Sequence, residues 1–383
     1  MHEHPAVHIP STQRAIVSPT VSDKLNAVHR IIPVGDPKPG EAMVRLLYTG
    51  ICRSDVSFSI GPYPGFPSRD YIAGHEGLGH VVKAHDPSIL GKLVGIRYLG
   101  SSCQRCVYCL RGLPTSCPTQ VNIPRQVMGT FQQFVTLPVS CLLDLPNDLI
   151  DGGIPLQVYT AALCSGSTAL AGLKMAEVGH GDVILVMGIL GAIGHLTGSI
   201  AKHVMGAKVI GVDLKWKIDQ LPANANHFGD VFLPAPEASS LTSSCEFQHQ
   251  LSTTCTLLRK HTSFQRNADV VIVASSCAEA FESLENYVCD GGRIVCLGVP
   301  KGRISISTPV NSLVERNLRI SGTLMGGHQE ALEVISYIQS GLISPLTETV
   351  PLSKVPEQMQ RLLECKVTGK IVVEFNNSLK GLE

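Results

Sequence analysis

Val183-Ile184-Leu185-Val186-Met187-Gly188-Ile189-Leu190-Gly191-Ala192-Ile193-Gly194 is the stretch that decides how this chain folds. The apolar run Val183 to Met187 suits a short strand buried on both faces. Glycines come after it, and these let the backbone turn tightly and come close to a ligand. Leu196, Ile200 and Val204 then recur at helical spacing, so strand, glycine turn and helix succeed one another. In that arrangement a pyrophosphate meets the amides of a helix N-terminus, which makes Gly188, Gly191, Ala192, Ile193 and Gly194 the candidate cradle. The first gap is one residue longer than in G-x-G-x-x-G, so taken alone the loop also fits an α/β protein that binds no nucleotide. Context favours the dinucleotide. Asp213 closes the next β-rich run roughly twenty residues after Gly194, where an acid accepts hydrogen bonds from the adenosine ribose hydroxyls. A carboxylate there repels a 2′-phosphate and favours NAD over NADP.

Working outward, short β-rich runs recur at Lys208–Val212, Asp269–Ala274, Gly292–Gly298 and Leu318–Thr323. Strands alternating with helices predict a doubly wound parallel sheet of Rossmann type. Between Pro222 and Gln265 Ser, Thr, Gln and Cys dominate, and only a strand near Asp230–Leu233 is assigned. Beyond Met325 come helices at Glu330–Ser340 and Val355–Cys365 and a strand at Lys370–Phe375. Residues 1 to about 150 are rich in Gly and Pro with short runs such as Ala42–Leu47 and Leu78–Val82, the texture of an irregular β domain.

The chain has 383 residues, 44% hydrophobic and 16% charged, enough for two well-buried domains. Lys plus Arg and Asp plus Glu both total 31 and there is no basic run, which argues against nucleic acid and anionic membranes as partners. Met1–Pro10 lacks the basic start and apolar core of a signal peptide. No apolar stretch is long enough to span a bilayer, and Leu379–Glu383 matches no retention or prenylation signal, so the expected compartment is the cytoplasm. Thirteen cysteines in that compartment should be thiols or metal ligands. Cys141, Cys245, Cys255, Cys277, Cys289, Cys296 and Cys365 read mostly as small buried apolar residues.

Cys103, Cys106, Cys109 and Cys117 are different, because they form C-x2-C-x2-C-x7-C. Four thiolates at this spacing can surround one Zn²⁺ tetrahedrally, and with every position filled by sulfur the site is structural. A nucleic-acid finger fits poorly, since Arg105 and Arg111 are the loop's only cations.

Thr49-Gly50-Ile51-Cys52-Arg53-Ser54-Asp55 and Gly74-His75-Glu76-Gly77-Leu78-Gly79-His80-Val81-Val82 carry a resemblance. With the quartet, the nucleotide loop and Thr368-Gly369-Lys370, they resemble the zinc alcohol dehydrogenases of the medium-chain dehydrogenase/reductase superfamily over nearly the whole chain. The resemblance implies a GroES-like catalytic domain at 1–158, an NAD-binding domain at 159–325, and a return into the catalytic domain at 326–383. It implies two Zn²⁺ and NAD, and hydride exchange between an alcohol and an aldehyde or ketone. Cys52, His75 and Cys164 match the catalytic zinc ligands, which agrees with the rule that catalytic zinc keeps three protein ligands and one open position. A metal there supplies the acidity that an alcohol lacks at neutral pH.

The same resemblance implies further roles. Ser54 matches the hydroxyl that takes the alcohol's proton, and Asp55 the acid that orients His75. Glu76 matches an acid beside the zinc, with a purely structural acid as its alternative. Arg53 and Lys370 match cations at the coenzyme pyrophosphate. Phe58, Tyr98, Leu324 and Met325 are expected to line the substrate pocket. Two positions depart from the pattern: Ser57 stands where relatives often carry a proton-passing His, and Tyr98 stands where yeast-type relatives have Trp. The short interval from Cys117 to Cys164 resembles the tetrameric microbial and fungal branch, implying a homo-oligomer, tetramer rather than dimer. Two other readings are weighed against this one. A zinc-free quinone or enoyl reductase of the same superfamily would lack Cys52, His75 and Cys164, and a noncatalytic zinc and nucleotide-binding protein would have no use for Ser54.

Overall fold

The computed structural model describes residues 8–61, 63–237, 241–259 and 267–375. The terminal segments read for targeting signals lie outside these residues, apart from the end of the first. The chain divides into one unit of residues Met1–Cys164 with Thr347–Glu383 and a second of residues Ser165–Leu346. The first break falls near the expected 158/159. The second lies well past the expected 325/326, because helix His328–Gln339 stays with the second unit: Lys174 on helix Ser167–Met175 is ion-paired to Glu330 at 3.1 Å and Glu333 at 2.8 Å.

The second unit is built on a six-stranded parallel sheet. From edge to edge its strands are Val231–Pro234, Lys208–Asp213, Val183–Met187, Ala268–Val273, Val288–Cys296 and Arg319–Gly322. Strand order therefore reverses between Val183–Met187 and Ala268–Val273, and a ligand site is expected beyond their carboxyl ends. Val183–Met187 is buried throughout, as a central strand with helices on both faces must be. Helix Ala192–His203 starts directly after its glycine turn. One long element escapes the sequence reading, the 19-residue helix Leu241–Arg259. Its buried side chains, Phe247, Leu251 and Cys255, form a stripe of single residues four apart. Thr253, Thr254 and Thr256 return their hydroxyls to carbonyls four residues back, so a polar helix is left with a thin apolar signal.

In the first unit a seven-stranded sheet runs in the order Leu142–Asp144, Leu93–Ile96, Gly77–Ala84, Glu41–Ile51, Lys370–Glu374 and Thr347–Pro351, with Phe134–Pro138 also on Glu41–Ile51. Strands Thr12–Thr20, Val28–Pro33 and Arg69–Tyr71 form a smaller sheet. Strand Glu41–Ile51 is antiparallel to all three neighbours, with Thr49 opposite Gly77 and Ile51 opposite Ile371. Three chain segments remote in sequence thus end side by side, bringing Cys52, Glu76 and Lys370 to one place.

Candidate active site and metal centres

The site starts at the end of strand Glu41–Ile51. Cys52 caps the short helix Arg53–Phe58, and the Asp55 side chain turns back to accept the Cys52 backbone N–H at 2.8 Å. Its other oxygen accepts from the Gly74 N–H at 3.0 Å and from His75 Nδ1 at 2.8 Å. Asp55 has no exposed surface, so three donors satisfy a fully buried carboxylate. The Nδ1 proton is thereby fixed, and His75 Nε2 keeps a lone pair for a metal. Burial opposes charge on His75, but the Asp55 carboxylate outweighs it and holds the metal-free imidazole well above its ordinary range.

Cys164 arrives from a single π-helical turn, Ala162–Gly166. Its neighbour Leu163 is pinned through its carbonyl by Nε of the buried Arg97 at 2.8 Å, a contact absent from any motif. One ligand atom each from Cys52, His75, Glu76 and Cys164 lies within 4.8 Å of the others. Tetrahedral Zn–S bonds of about 2.3 Å place donors about 3.8 Å apart, so two sulfurs and one imidazole fit zinc and leave a position open. The Cys164 thiol donates to the Cys52 sulfur and holds Cys52 well below its ordinary range, while the same bond pushes Cys164 up. A metal bound by both sulfurs would displace this shared proton and take the two thiolates as ligands.

Glu76 is fully buried, with Oε1 3.9 Å from His75 Nε2 and Oε2 ion-paired to Lys370. Lys370, expected as a coenzyme cation, is a buried ammonium paired with Glu76. Burial works against its charge, yet Glu76 outweighs that and raises its pKa. Gly50 makes room for the pair, since a Cβ there would overlap the Glu76 carboxylate and crowd Lys370. Arg53, the other expected coenzyme cation, is half-buried and donates from Nη1 to the Leu362 carbonyl.

Ser54 Oγ stands 3.5 Å from His75 Nε2, beside the donor set. Ser57 donates back to the Arg53 carbonyl at 3.3 Å. Tyr98 meets the His75 ring edge-on at 5.8 Å and stacks with Phe58 at 5.8 Å, and Phe58 stacks further on Phe66 at 4.4 Å. Tyr98 thus stands beside a metal ligand, with Phe58 and then Phe66 stacked behind it. Leu324 and Met325 belong to the second unit, the first exposed and the second buried.

Sulfurs of Cys103, Cys106, Cys109 and Cys117 likewise lie within 4.8 Å of one another. The Cys106 N–H donates to Cys103 Sγ at 3.3 Å and the Cys103 N–H to Cys117 Sγ at 3.4 Å. Those amide bonds favour thiolates: the Cys103 amide, helped by the Thr119 hydroxyl, lowers Cys117 to about 6. This donor set is closed, as a structural zinc requires.

In the second unit, Gly188 to Gly194 form the turn into helix Ala192–His203, with Gly191 at its N-cap. Gly194 packs so closely that a Cβ would strike the Gly188 carbonyl. Asp213 Oδ2 accepts from the Leu190 N–H at 2.9 Å and Oδ1 from the Leu214 N–H at 2.8 Å, which places the carboxylate against the glycine turn.

Comparison with known proteins agrees with this chemistry. Residues 38–147 match the alcohol dehydrogenase GroES-like domain, and residues 192–340 match the zinc-binding dehydrogenase family. An alcohol dehydrogenase of Schizosaccharomyces pombe is 27% identical over 96% of this chain and 99% of its own. Alcohol dehydrogenase 2 of Emericella nidulans is 29% identical over 97% of this chain and 100% of its own. In fold the chain is similar to an acetophenone reductase from Geotrichum candidum solved with NAD, at a TM-score of 0.77 and 24% identity, covering 97% of this chain and 100% of that one. On two family models that together span most of its length, and on relatives that align with it from end to end, the chain belongs to the zinc-type alcohol dehydrogenase family of the medium-chain dehydrogenase/reductase superfamily and is an NAD-dependent alcohol dehydrogenase.

Proposed function

We propose that this enzyme reversibly oxidises small alcohols to aldehydes or ketones at Cys52, His75 and Cys164, with Ser54 as the proton acceptor and Asp213 as the reader of NAD. The observation that carries this reading is the convergence of two thiols and a carboxylate-oriented imidazole within 4.8 Å, with a hydroxyl beside them. Zinc held there supplies Lewis acidity toward the alcohol oxygen. Asp55 keeps the His75 ring turned so that Nε2 faces the metal, and Ser54 Oγ takes the alcohol's proton. Ser57 cannot carry a proton charge near neutral pH, so it would not replace an imidazole as the group that passes the Ser54 proton on.

Phe58 and Tyr98 form an aromatic wall of the substrate pocket. Arg53 serves the coenzyme phosphates, since a cation is suited to that role. Glu76 and Lys370 form a buried charge pair on the Nε2 side of His75, where Glu76 would be able to exchange as a zinc ligand.

Assembly as a homo-oligomer is supported by apolar exposure in the second unit, and a tetramer rather than a dimer by the short interval from Cys117 to Cys164. Val310 and Val314 are each 70% exposed, and the edge strand Arg319–Gly322 is largely uncovered. Among the described residues no helix is long and apolar enough to cross a membrane.

A panel of aliphatic and aromatic alcohols, assayed with NAD and with NADP by nicotinamide absorbance, tests the proposal. NAD-dependent turnover that is lost in Ser54→Ala and retained in Ser57→Ala supports it; turnover indifferent to Ser54→Ala contradicts the proton route.

A further inference from the structure

The second unit ends at Leu346, and the strand Thr347–Pro351 of the first unit begins at once. Just before this crossover, two backbone amides are given to imidazoles. The Leu346 N–H donates to His195 Nε2 at 3.1 Å, and the Ser344 N–H donates to His227 Nε2 at 3.2 Å. An imidazole nitrogen that accepts carries no proton, so the hydrogen of each neutral ring sits on Nδ1. In His195 that proton points at the Gly191 carbonyl, 2.8 Å away. Gly191 caps helix Ala192–His203 within the glycine turn. The His195 ring has no exposed surface and meets Phe228 edge-on at 6.1 Å. One tautomer of one buried ring therefore joins the pyrophosphate turn to the crossover segment.

We propose that His195 is a positioning residue for the coenzyme: by bridging Gly191 and Leu346 it holds the glycine turn in its binding conformation and so sets NAD affinity. This inference rests on the reading of the turn as the dinucleotide site. A loop already held in its bound shape spends less binding free energy on ordering, so releasing it weakens coenzyme binding without touching the reacting atoms. His227 serves as an internal control. It grips the same segment through Ser344, while its ring stacks on His203 at 4.4 Å, away from the helix cap.

NADH binding by fluorescence, with steady-state kinetics in NAD, reads the effect in the zinc-loaded enzyme. His195→Leu is expected to raise the NADH Kd and the NAD KM about fivefold, the weight of one buried hydrogen bond, without lowering kcat at saturating coenzyme. His195→Asn retains a side-chain amide able to reach the Gly191 carbonyl and should recover most of the affinity. His195→Gln sets its amide one carbon further out, where its oxygen can accept from Leu346 but its NH₂ does not replace Nδ1–H at the Gly191 carbonyl, and should stay weak. His227→Ala should leave the Kd within about twofold. A folded His195→Leu protein with wild-type Kd overturns the proposal, as does an equal loss in His227→Ala. Should His195→Leu fail to fold, the Asn and Gln variants decide, and equal affinities for those two overturn it. Wild-type protein that binds no NADH would instead overturn the dinucleotide reading itself.

Discussion

Replacing Asp55 with Asn changes one atom in the most heavily used carboxylate of the site. Asp55 receives three donors, from Cys52, Gly74 and His75, and has no access to water. Asparagine keeps one acceptor oxygen. Its cheaper orientation leaves that oxygen on Gly74 and His75 and turns the NH₂ toward the Cys52 N–H, donor against donor. One orphaned buried donor costs about 1–3 kcal/mol, and for a chain of this size each kcal/mol lowers Tm by about 2–4 °C. The bond to His75 survives but loses its charge, so the imidazole becomes a poorer ligand. Removing such a partner typically lowers metal affinity about 10–100-fold. The assay is stepwise zinc removal by a chelator with a metal-sensitive dye, alongside a thermal melt. The first zinc should leave Asp55→Asn at a chelator concentration at least tenfold lower than in the wild type, while the second leaves unchanged. A release midpoint within about twofold of wild type for both zincs would refute the role given to Asp55.

Three other outcomes are expected. Cys106→Ser should lose one zinc and melt earlier, since a structural metal contributes folding free energy, and metal counting against the melt checks it. Asp213→Ala should shift the ratio of kcat/KM values from NAD toward NADP, while Asp213→Asn, which removes the charge but keeps an acceptor, should shift it less; an unchanged ratio would count against Asp213. Burial, His203 and Lys202 hold His227 below the ordinary 6.5. The folded state therefore binds fewer protons there than the unfolded chain, and this contribution is present above pH 6.5 and lost as pH falls through the depressed value. Denaturant midpoints measured across that range should fall less steeply in His227→Gln.

Much of the second unit was legible because its strands are short apolar runs buried on both faces, a signal carried by the residues themselves. Helix Leu241–Arg259 was not, since three buried residues in a field of Ser and Thr leave little periodicity. The cysteine quartet could be read from its spacing, whereas Cys52, His75 and Cys164, far apart in the chain, came only with the family resemblance. The Glu76 partner of Lys370 could not be seen from sequence, because only the pairing of its strand with Glu41–Ile51 brings the two together. Arg97 and His195 have the same kind of invisibility, because the groups they hold lie 66 and 151 residues away.

Hydride transfer itself is the central claim, and isotope transfer tests it most directly. An alcohol fully deuterated at its carbinol carbon, given to zinc-loaded enzyme with NAD, should place one deuterium at C4 of the nicotinamide per turnover. His75→Ala should abolish that transfer while still binding NADH. Reduced coenzyme free of deuterium, or undiminished transfer in His75→Ala, would contradict the account.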